Sequence, residues 1–362
     1  MTYQISTINA DSAGGYASVN SKQVYDAIAA RLAAQGNWTL VDTVDYVSAP
    51  NTDRTFVWKC ASPGNGLGAD FYVLFTLRFT TATGVWTLPT TAFGCMISIC
   101  EQYNTGTKVA SKLGTQQIGT AVNLAADLTF PLTWTLTAAR PVSSSTGWVF
   151  WGSPSGGQVL SSAICAISVT GGTFIVFYGA TGATTSHLYC GVYDSVMNST
   201  DDPMPITILV DANNLKSDSS GGSTQSFGAC TRHPKLTPGG SYTGTHGVGV
   251  APGYHGQGTT WGAGTYNTPS ASSLAGSLGD PSNVNSSLFI GGGPIVSRIC
   301  LTSSGSAQTG STRGGLRGFL RNLVGCFAPI HSIGDTFVVD SKVYVGAGQT
   351  AANAAPFLDT TA

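Results

Sequence analysis

The sequence predicts a mainly β protein: a β-dominated α+β fold with sandwich-like β clusters, one N-terminal helix and long loops rich in Gly, Ser and Thr. Short apolar runs rich in β-branched and aromatic residues recur between turn-forming residues, which is typical of strands. Convincing helical periodicity occurs near the start of the chain. No repeat of fixed period is visible, which argues against solenoids and propellers.

The helix is predicted close to the N-terminus. Val24, Ile28 and Leu32 recur at four-residue spacing, so they line one face of a helix. Ser21 suits the N-cap position, and Gly36 suits the C-terminal stop.

Strands are predicted in two groups. The first group is 38–47, 54–60, 71–77 and 93–103. The second group is 147–151, 163–170, 173–180, 187–194 and 206–211. The segment 71–77 is apolar on both faces, as expected of a strand buried between two layers. Gly171 and Gly172 separate two runs at the spacing of a tight hairpin.

The remainder of the chain alternates loop and β character. Residues 216–294 are rich in Gly, Ser, Thr, Pro and Asn without periodicity, so we expect a long loop or a set of loops. A strand is predicted after Ile295, a short amphipathic helix at 316–324, and a hairpin formed by 336–339 and 342–345.

The length of 362 residues exceeds the usual range of one domain. We expect a first domain at 1–130, which carries the helix, and a second at 131–362, which contains the loop insertion at about 216–294.

The charged fraction is unusually low. Only 9% of the residues are Asp, Glu, Lys or Arg, whereas soluble domains usually carry about 25%. A free monomer with so few charges and a net charge of −1 would tend to associate and precipitate. Because interface cores are depleted in charge, we expect other subunits to cover much of this surface.

Composition and the N-terminal residues also argue against a nucleic-acid-binding, a membrane-spanning or a secreted protein. Sixteen basic and seventeen acidic residues give no electrostatic footprint for nucleic acid. No apolar run is long enough for a membrane-spanning helix. The N-terminal residues lack the pattern of a secretion signal, so assembly in a cytoplasm is expected.

Eight cysteines are scattered singly, without a C-x-x-C pair, which disfavours a zinc ribbon or a thioredoxin-type site. We expect most of them to be buried thiols, with disulfides formed after release from the cell as the alternative. The residues are Cys60, Cys95, Cys100, Cys165, Cys190, Cys230, Cys300 and Cys326.

Four potential metal ligands lie in one loop region: Cys230, His233, His246 and His255. Structural zinc sites usually present two compact ligand pairs, and the second pair here is widely spaced. We therefore interpret these residues as polar loop residues with one half-buried thiol, and predict no metal site and no cofactor.

Glycoside hydrolysis is the enzymatic alternative, and it generally needs two carboxylates. Glu101 is the chain's single glutamate, so the second carboxylate would be an aspartate such as Asp194, Asp201 or Asp202. Asp201 and Asp202 precede a proline in a turn, where aspartates usually organise the backbone. We predict no catalytic residue.

Other catalytic patterns fail. The segment 152–156 resembles a nucleophile elbow, but its central residue is Pro154 and not serine. The glycine-rich segments 64–68 and 256–258 lack the ending of a phosphate-binding loop. A Cys–His dyad stays open, since five histidines accompany the cysteines.

A basic stripe is predicted near the C-terminus. Arg313, Arg317 and Arg321 recur every four residues beside leucines, so a helix would place them on one face. The stripe is either a docking face for an acidic partner or a solvated face of a packed helix.

Four stretches resemble tailed-bacteriophage virion structural proteins, a group that includes tail, baseplate, neck and capsid-decorating components. The stretches are the helix with 36–42, 56–59 with 68–74, 189–194 through 202–203, and 325–331. The resemblance implies a packed, repeated building block and brings no catalytic residues.

We therefore expect a non-catalytic structural component of the virion, in the tail or baseplate region, assembled in the host cytoplasm. Its partners would be copies of itself and other virion proteins, through strand and loop contacts. The candidate interface or packing residues are Trp38, Trp58, Phe71, Tyr72, Trp148, Trp151, Arg313, Arg317 and Arg321.

Three alternatives stay open. The first is a capsid-decorating (cement) protein of the phage head. The second is a tip protein that binds a receptor or degrades host polysaccharide, for which Tyr242, Tyr254, Trp261 and Tyr266 would supply the sugar-binding aromatics. The third is an isolated cytoplasmic binding protein, which would be a well-behaved monomer.

Overall fold

The computed structural model describes residues 2–10, 19, 21–48, 51–79, 95–115, 133–138, 161–180, 183–212, 225–231, 248–251, 295–303, 316–327, 336–339, 341–346 and 355–359. Within these residues the chain forms one helix and nineteen strands, and it is mainly β as predicted.

The elements run in the following order. They are β1 (Thr2–Asn9), α1 (Ser21–Ala33), β2 (Trp38–Ser48), β3 (Asn51–Cys60), β4 (Phe71–Phe79), β5 (Cys95–Asn104), β6 (Val109–Thr115), β7 (Thr133–Thr135), β8 (Ser162–Thr170), β9 (Thr173–Ala180), β10 (Ala183–Val192), β11 (Asp194–Ser195), β12 (Ile206–Ala212), β13 (Gln225–Cys230), β14 (Val248–Ala251), β15 (Ile295–Ser303), β16 (Leu316–Phe327), β17 (Thr336–Val339), β18 (Lys342–Gly346) and β19 (Ala355–Asp359).

The described strands form three antiparallel sheets. Sheet A has the order β1-β8-β9-β10-β12-β13, and sheet B has the order β2-β3-β4-β5-β6-β7. Sheet C has the order β14-β15-β16-β19-β18-β17, and the short β11 also pairs with β16.

One hydrophobic core joins sheets A and B. It contains buried residues of β3, β4 and β5 from sheet B, of β8, β9, β10 and β12 from sheet A, and of α1. Strand β4 alternates between this core and a second one on the other face of sheet B: Phe71, Val73 and Phe75 enter the first, and Leu74 enters the second. The prediction that this strand is apolar on both faces is thus confirmed.

Several local predictions are confirmed. Helix α1 begins at Ser21 and buries the predicted stripe of Val24, Ile28 and Leu32. Thr170 pairs with Thr173 across the Gly171–Gly172 turn, so β8 and β9 form the predicted hairpin. Strands β17 and β18 form the predicted C-terminal hairpin.

The amphipathic helix predicted at 316–324 is wrong, because these residues form strand β16. A four-residue spacing of leucines and arginines also fits the two-residue period of a strand, so the pattern could not distinguish the two. Gly318 and Gly325 lower helix propensity. Pairing with β15 and β19 then stabilises the strand.

The predicted loop region 216–294 contains two strands, β13 and β14, and the rest of it lies outside the described residues. The predicted strand 147–151 also lies outside them. The proposed division at residue 130 stays a prediction. Strand β1 from its first part pairs with β8 from its second, and both parts contribute to one core.

Candidate assembly surface

Three of the predicted interface or packing residues lie inside the subunit. Trp38, Trp58 and Phe71 are almost fully buried in the core between sheets A and B. The Trp38 indole donates from Nε1 to the Gly171 carbonyl at 2.8 Å, and its ring meets the Phe71 ring edge-on at 5.7 Å. These three side chains are therefore not accessible to another chain.

Tyr72 lies on the other face of β4. Its half-buried side chain packs against the second core, and its ring lies 6.0 Å from the ring of Tyr103. Burial raises the pKa of the Tyr72 hydroxyl, so it is protonated at neutral pH.

The remaining predicted residues fall in different places. Trp148, Trp151 and Arg313 lie outside the described residues, and Arg317 lies on β16. Arg321 is half-buried and does not form part of a helical basic stripe. Its Nε contacts Asp194 Oδ1 at 2.6 Å.

Arg321 marks the point where β16 meets sheet A. Its backbone N–H donates to the Tyr189 hydroxyl at 3.0 Å, and the next residue, Asn322, donates to Thr170 Oγ1. Tyr189 is fully buried. These bonds attach sheet C to the ends of β8 and β10.

Glycine permits the close approach of backbone at this junction. A Cβ atom on Gly191, which has φ of 124°, would overlap the Gly172 carbonyl oxygen. A Cβ atom on Gly318 would overlap the Asp194 carbonyl oxygen. Any side chain at either position would force the strands apart.

Four of the six large apolar side chains that the described residues expose lie on strands at sheet edges; the other two are Val196, which lies after β11, and Val343, on the inner strand β18. Ile5 lies on β1, Leu40 and Val47 on β2, and Val338 on β17. Each of these strands stands at one end of the described order of its sheet. The exposed fraction reaches 61% for Val47 and 63% for Val338.

This distribution suits assembly. Edge strands present unpaired backbone N–H and C=O groups that can pair with another chain, and apolar side chains beside them add contact area. Sequence reasoning missed these residues because single exposed apolar residues carry no signal. The β-branched character of 2–9 could have revealed β1, whose run contains no charge and no proline.

Ion pairs neutralise much of the charge in the described part of the chain. Lys59 Nζ lies 2.6 Å from Asp70 Oδ2, and Lys108 Nζ lies 2.6 Å from Asp42 Oδ2. Arg54 forms a bidentate pair with Asp45. The surface therefore offers even fewer uncompensated charges than the composition indicates.

The carboxylates considered for hydrolysis have structural partners. Glu101 is a buried residue of β5. It lies 3.3 Å from Nζ of Lys112 on β6 and accepts from Thr231 Oγ1 at 2.9 Å. Because Thr231 follows β13, this contact links sheet B to sheet A.

The three aspartates also have structural partners. Asp194 pairs with Arg321 and joins β11 to β16. Asp202 accepts from the Tyr193 hydroxyl at 2.6 Å, and Asp201 accepts from Asn198 at 2.7 Å. The bonds of Asp201 and Asp202 fix the turn after β11, as the sequence indicated.

Five cysteines whose side chains the structure describes are buried, free thiols: Cys60, Cys95, Cys100, Cys165 and Cys190. Burial raises the pKa of each one. This confirms the expectation of inert core thiols for these five.

The structure gives no ligand set for a metal in its described part. Cys230 lies on β13, whereas His233, His246 and His255 lie outside the described residues. Across the part of the chain that is described, no three His, Cys, Asp or Glu residues are grouped to hold a metal ion.

The described residues also include no helix with the length and apolarity that a bilayer crossing requires. No protein-family model matches the chain. No curated protein matches it significantly.

Proposed function

We propose that this chain is a non-catalytic structural subunit of a tailed-bacteriophage virion, located in the tail or baseplate region. It acts by packing against copies of itself and against other virion proteins. The observation that carries the proposal is that four of the six large apolar side chains exposed by the described residues lie on edge strands, and that these strands belong to all three sheets.

The charge distribution supports the same role. A surface with few ionic groups, many of them already paired, loses little hydration when another subunit covers it. Burial of apolar edge residues then favours association. The virion setting rests on the resemblance of four stretches of the sequence to phage structural proteins.

The partners of the candidate carboxylates support a role without chemistry. A general acid for glycoside cleavage needs a raised pKa and a second carboxylate beside the scissile bond. Glu101 instead faces Lys112 and Thr231, in a buried link between two sheets.

The protein's stoichiometry in purified particles tests the proposal. Quantitative mass spectrometry should find it at a copy number close to that of known tail proteins in the same particle. A copy number close to that of the major capsid protein would instead support a head-decorating role. Absence from particles would contradict both.

Incubation with glycan from the host cell surface tests the tip-protein alternative. The aromatic residues that would carry it, including Tyr242 and Trp261, lie outside the described residues. The proposed role predicts that the glycan stays intact. Shortened oligosaccharides in the mass spectrum would overturn the non-catalytic assignment.

A further inference from the structure

We infer that β1 is a docking edge for the same strand of a second copy of this chain. The two strands pair antiparallel across a two-fold axis at Ile5. This inference rests on the proposed function, which expects copies of the chain to contact one another. It adds the strand through which they pair and the register of that pairing.

The other described edges are each protected or short. Strand β2 carries Asp42 and Asp45, and a bulge interrupts its pairing with β3 after Leu40. Charges and bulges are two of the devices that prevent edge-to-edge pairing. Strands β7, β14 and β17 have three or four residues each. Strand β13 contacts β14.

Strand β1 has none of these protections. It has eight residues without charge or proline, and its register with β8 is unbroken from Thr2 to Asn9. Among the described strands, β8 is its only neighbour. A long, regular and uncharged edge is the kind that accepts another strand.

The direction of the backbone groups follows from the ladder. The Ala10 N–H donates to the Ser161 carbonyl at 2.7 Å, one step beyond the pair Asn9–Ser162. Because bonded and non-bonded pairs alternate in antiparallel sheets, even-numbered residues of β1 direct their groups to β8. Odd-numbered residues direct theirs to the free edge.

A contact of α1 agrees with this assignment and limits the edge. Gln23 Nε2 donates to the Asn9 carbonyl at 2.7 Å, so that oxygen points away from β8 and is occupied. The stretch left for a partner strand runs from Tyr3 to Thr7. Its centre is Ile5.

The register follows from the requirement that every free backbone N–H and C=O group from Tyr3 to Thr7 forms a hydrogen bond with the second copy. When Ile5 pairs with Ile5 of the second copy, Tyr3 pairs with Thr7, and each of these pairs exchanges both backbone bonds. A shift by two residues leaves one end unpaired. Centred on Ile5, both copies use the whole stretch.

The side chains favour a second copy as the occupant. The exposed residues Ile5 and Thr7 share the outer face of β1, and Ile5 has 39% of its surface exposed. Self-pairing places apolar Ile5 against Ile5 across the axis. It brings no like charges together, since the strand has none.

Cysteine cross-linking of the full chain tests the register. Under mild oxidation Ile5→Cys should form a disulfide-linked dimer, because the two side chains face each other. Thr7→Cys is the matched control: in this register its two copies lie about 13 Å apart, beyond the reach of a disulfide. Equal cross-linking of both variants, or none of Ile5→Cys above the wild-type background, would overturn the inference.

Sedimentation equilibrium tests the interaction without cross-linking. Ile5→Lys should weaken self-association at least about tenfold, since it sets two ammonium groups opposite each other. Val196→Lys places the same charge at an exposed apolar position that lies on no strand, and it should leave the association constant unchanged. Circular dichroism confirms that both variants are folded.

Two outcomes separate this inference from the proposed function. A wild-type chain that is monomeric at all concentrations, yet present in particles, overturns the self-pairing and leaves the virion role. If Ile5→Lys is also excluded from particles, the edge receives a strand of a different virion protein. Self-pairing of a chain absent from particles overturns only the virion role.

Discussion

Strands β1 and β2 are first in their sheets, and both contact α1, but their free edges differ in protection. Strand β2 has eleven residues, two aspartates and a bulge. Strand β1 has eight residues, an unbroken register and no charge. Although the chain has few ionic side chains, two of them lie on β2 and none lies on β1. The difference indicates which edge is left open to a partner.

The largest effect is expected on the inner side of β2. Trp38→Ala should lower the free energy of unfolding by about 3–5 kcal/mol, because it leaves a cavity in the shared core and removes the bond to Gly171. Urea denaturation measures it. Leu40→Ala, on the same strand but 43% exposed, should change stability by less than about 0.5 kcal/mol. Similar losses in both variants would mean that burial of the side chain does not set the cost of truncation on this strand.

Proline substitutions distinguish the two sides of β1. Ser6→Pro removes the donor to the Cys165 carbonyl and should cost about 1–3 kcal/mol. Thr7→Pro removes a donor that points to the free edge, so it should cost much less. Thermal unfolding of the two variants gives the comparison. A larger loss for Thr7→Pro would reverse the assigned direction of the backbone groups.

Asp42 should make the β2 region sensitive to acid. Burial acts to raise the pKa of its carboxyl, but hydrogen bonds from Lys108 and Tyr103 outweigh burial and lower the pKa. A depressed folded-state pKa gives stability that is present above the ordinary value and is lost as pH falls through the folded value. Asp42→Asn should therefore cost about 1–2 kcal/mol at pH 7 and less at pH 3. An equal cost at both pH values would contradict this role of the carboxylate.

The smallest stability change is expected from Asp45→Asn. Its ion pair with Arg54 is exposed, so the cost should be about 0.2–1 kcal/mol. Because the β2 edge loses half of its acidic protection, self-association measured by light scattering should rise. Asp26→Asn on α1 is the control, since it removes one negative charge away from any sheet edge. Equal scattering by the two variants would show that position on the edge is irrelevant.

Local pattern predicted much of the fold. The helix at Ser21, the turn at Gly171 and Gly172, and most described strands follow from periodicity and turn residues that act over a few positions. Strand β16 was mistaken for a helix because its spacing fits both periods. Strand β1 was missed because its polar residues hide the alternation, and its partner β8 lies far along the chain.

The candidate surface was harder to predict. Large aromatic residues such as Trp38 and Phe71 were expected at interfaces, but they lie in the interior. Folding of the chain itself already removes these apolar side chains from water. The residues that remain exposed, such as Ile5 and Val47, are small in number and unremarkable in sequence. Only strand order reveals that they share edge positions.

The buried thiols can report on local opening of the hydrophobic cores that surround them. Alkylating reagents attack the thiolate, so a thiol reacts only when the core around it is exposed to solvent. Cys60, Cys95 and Cys100 report on sheet B, and Cys165 and Cys190 report on sheet A. If the two sheets separate and reclose as a unit, the four thiols in the core between them, Cys60, Cys95, Cys165 and Cys190, will be labelled at one rate. Unequal rates would show that the two sheets open independently.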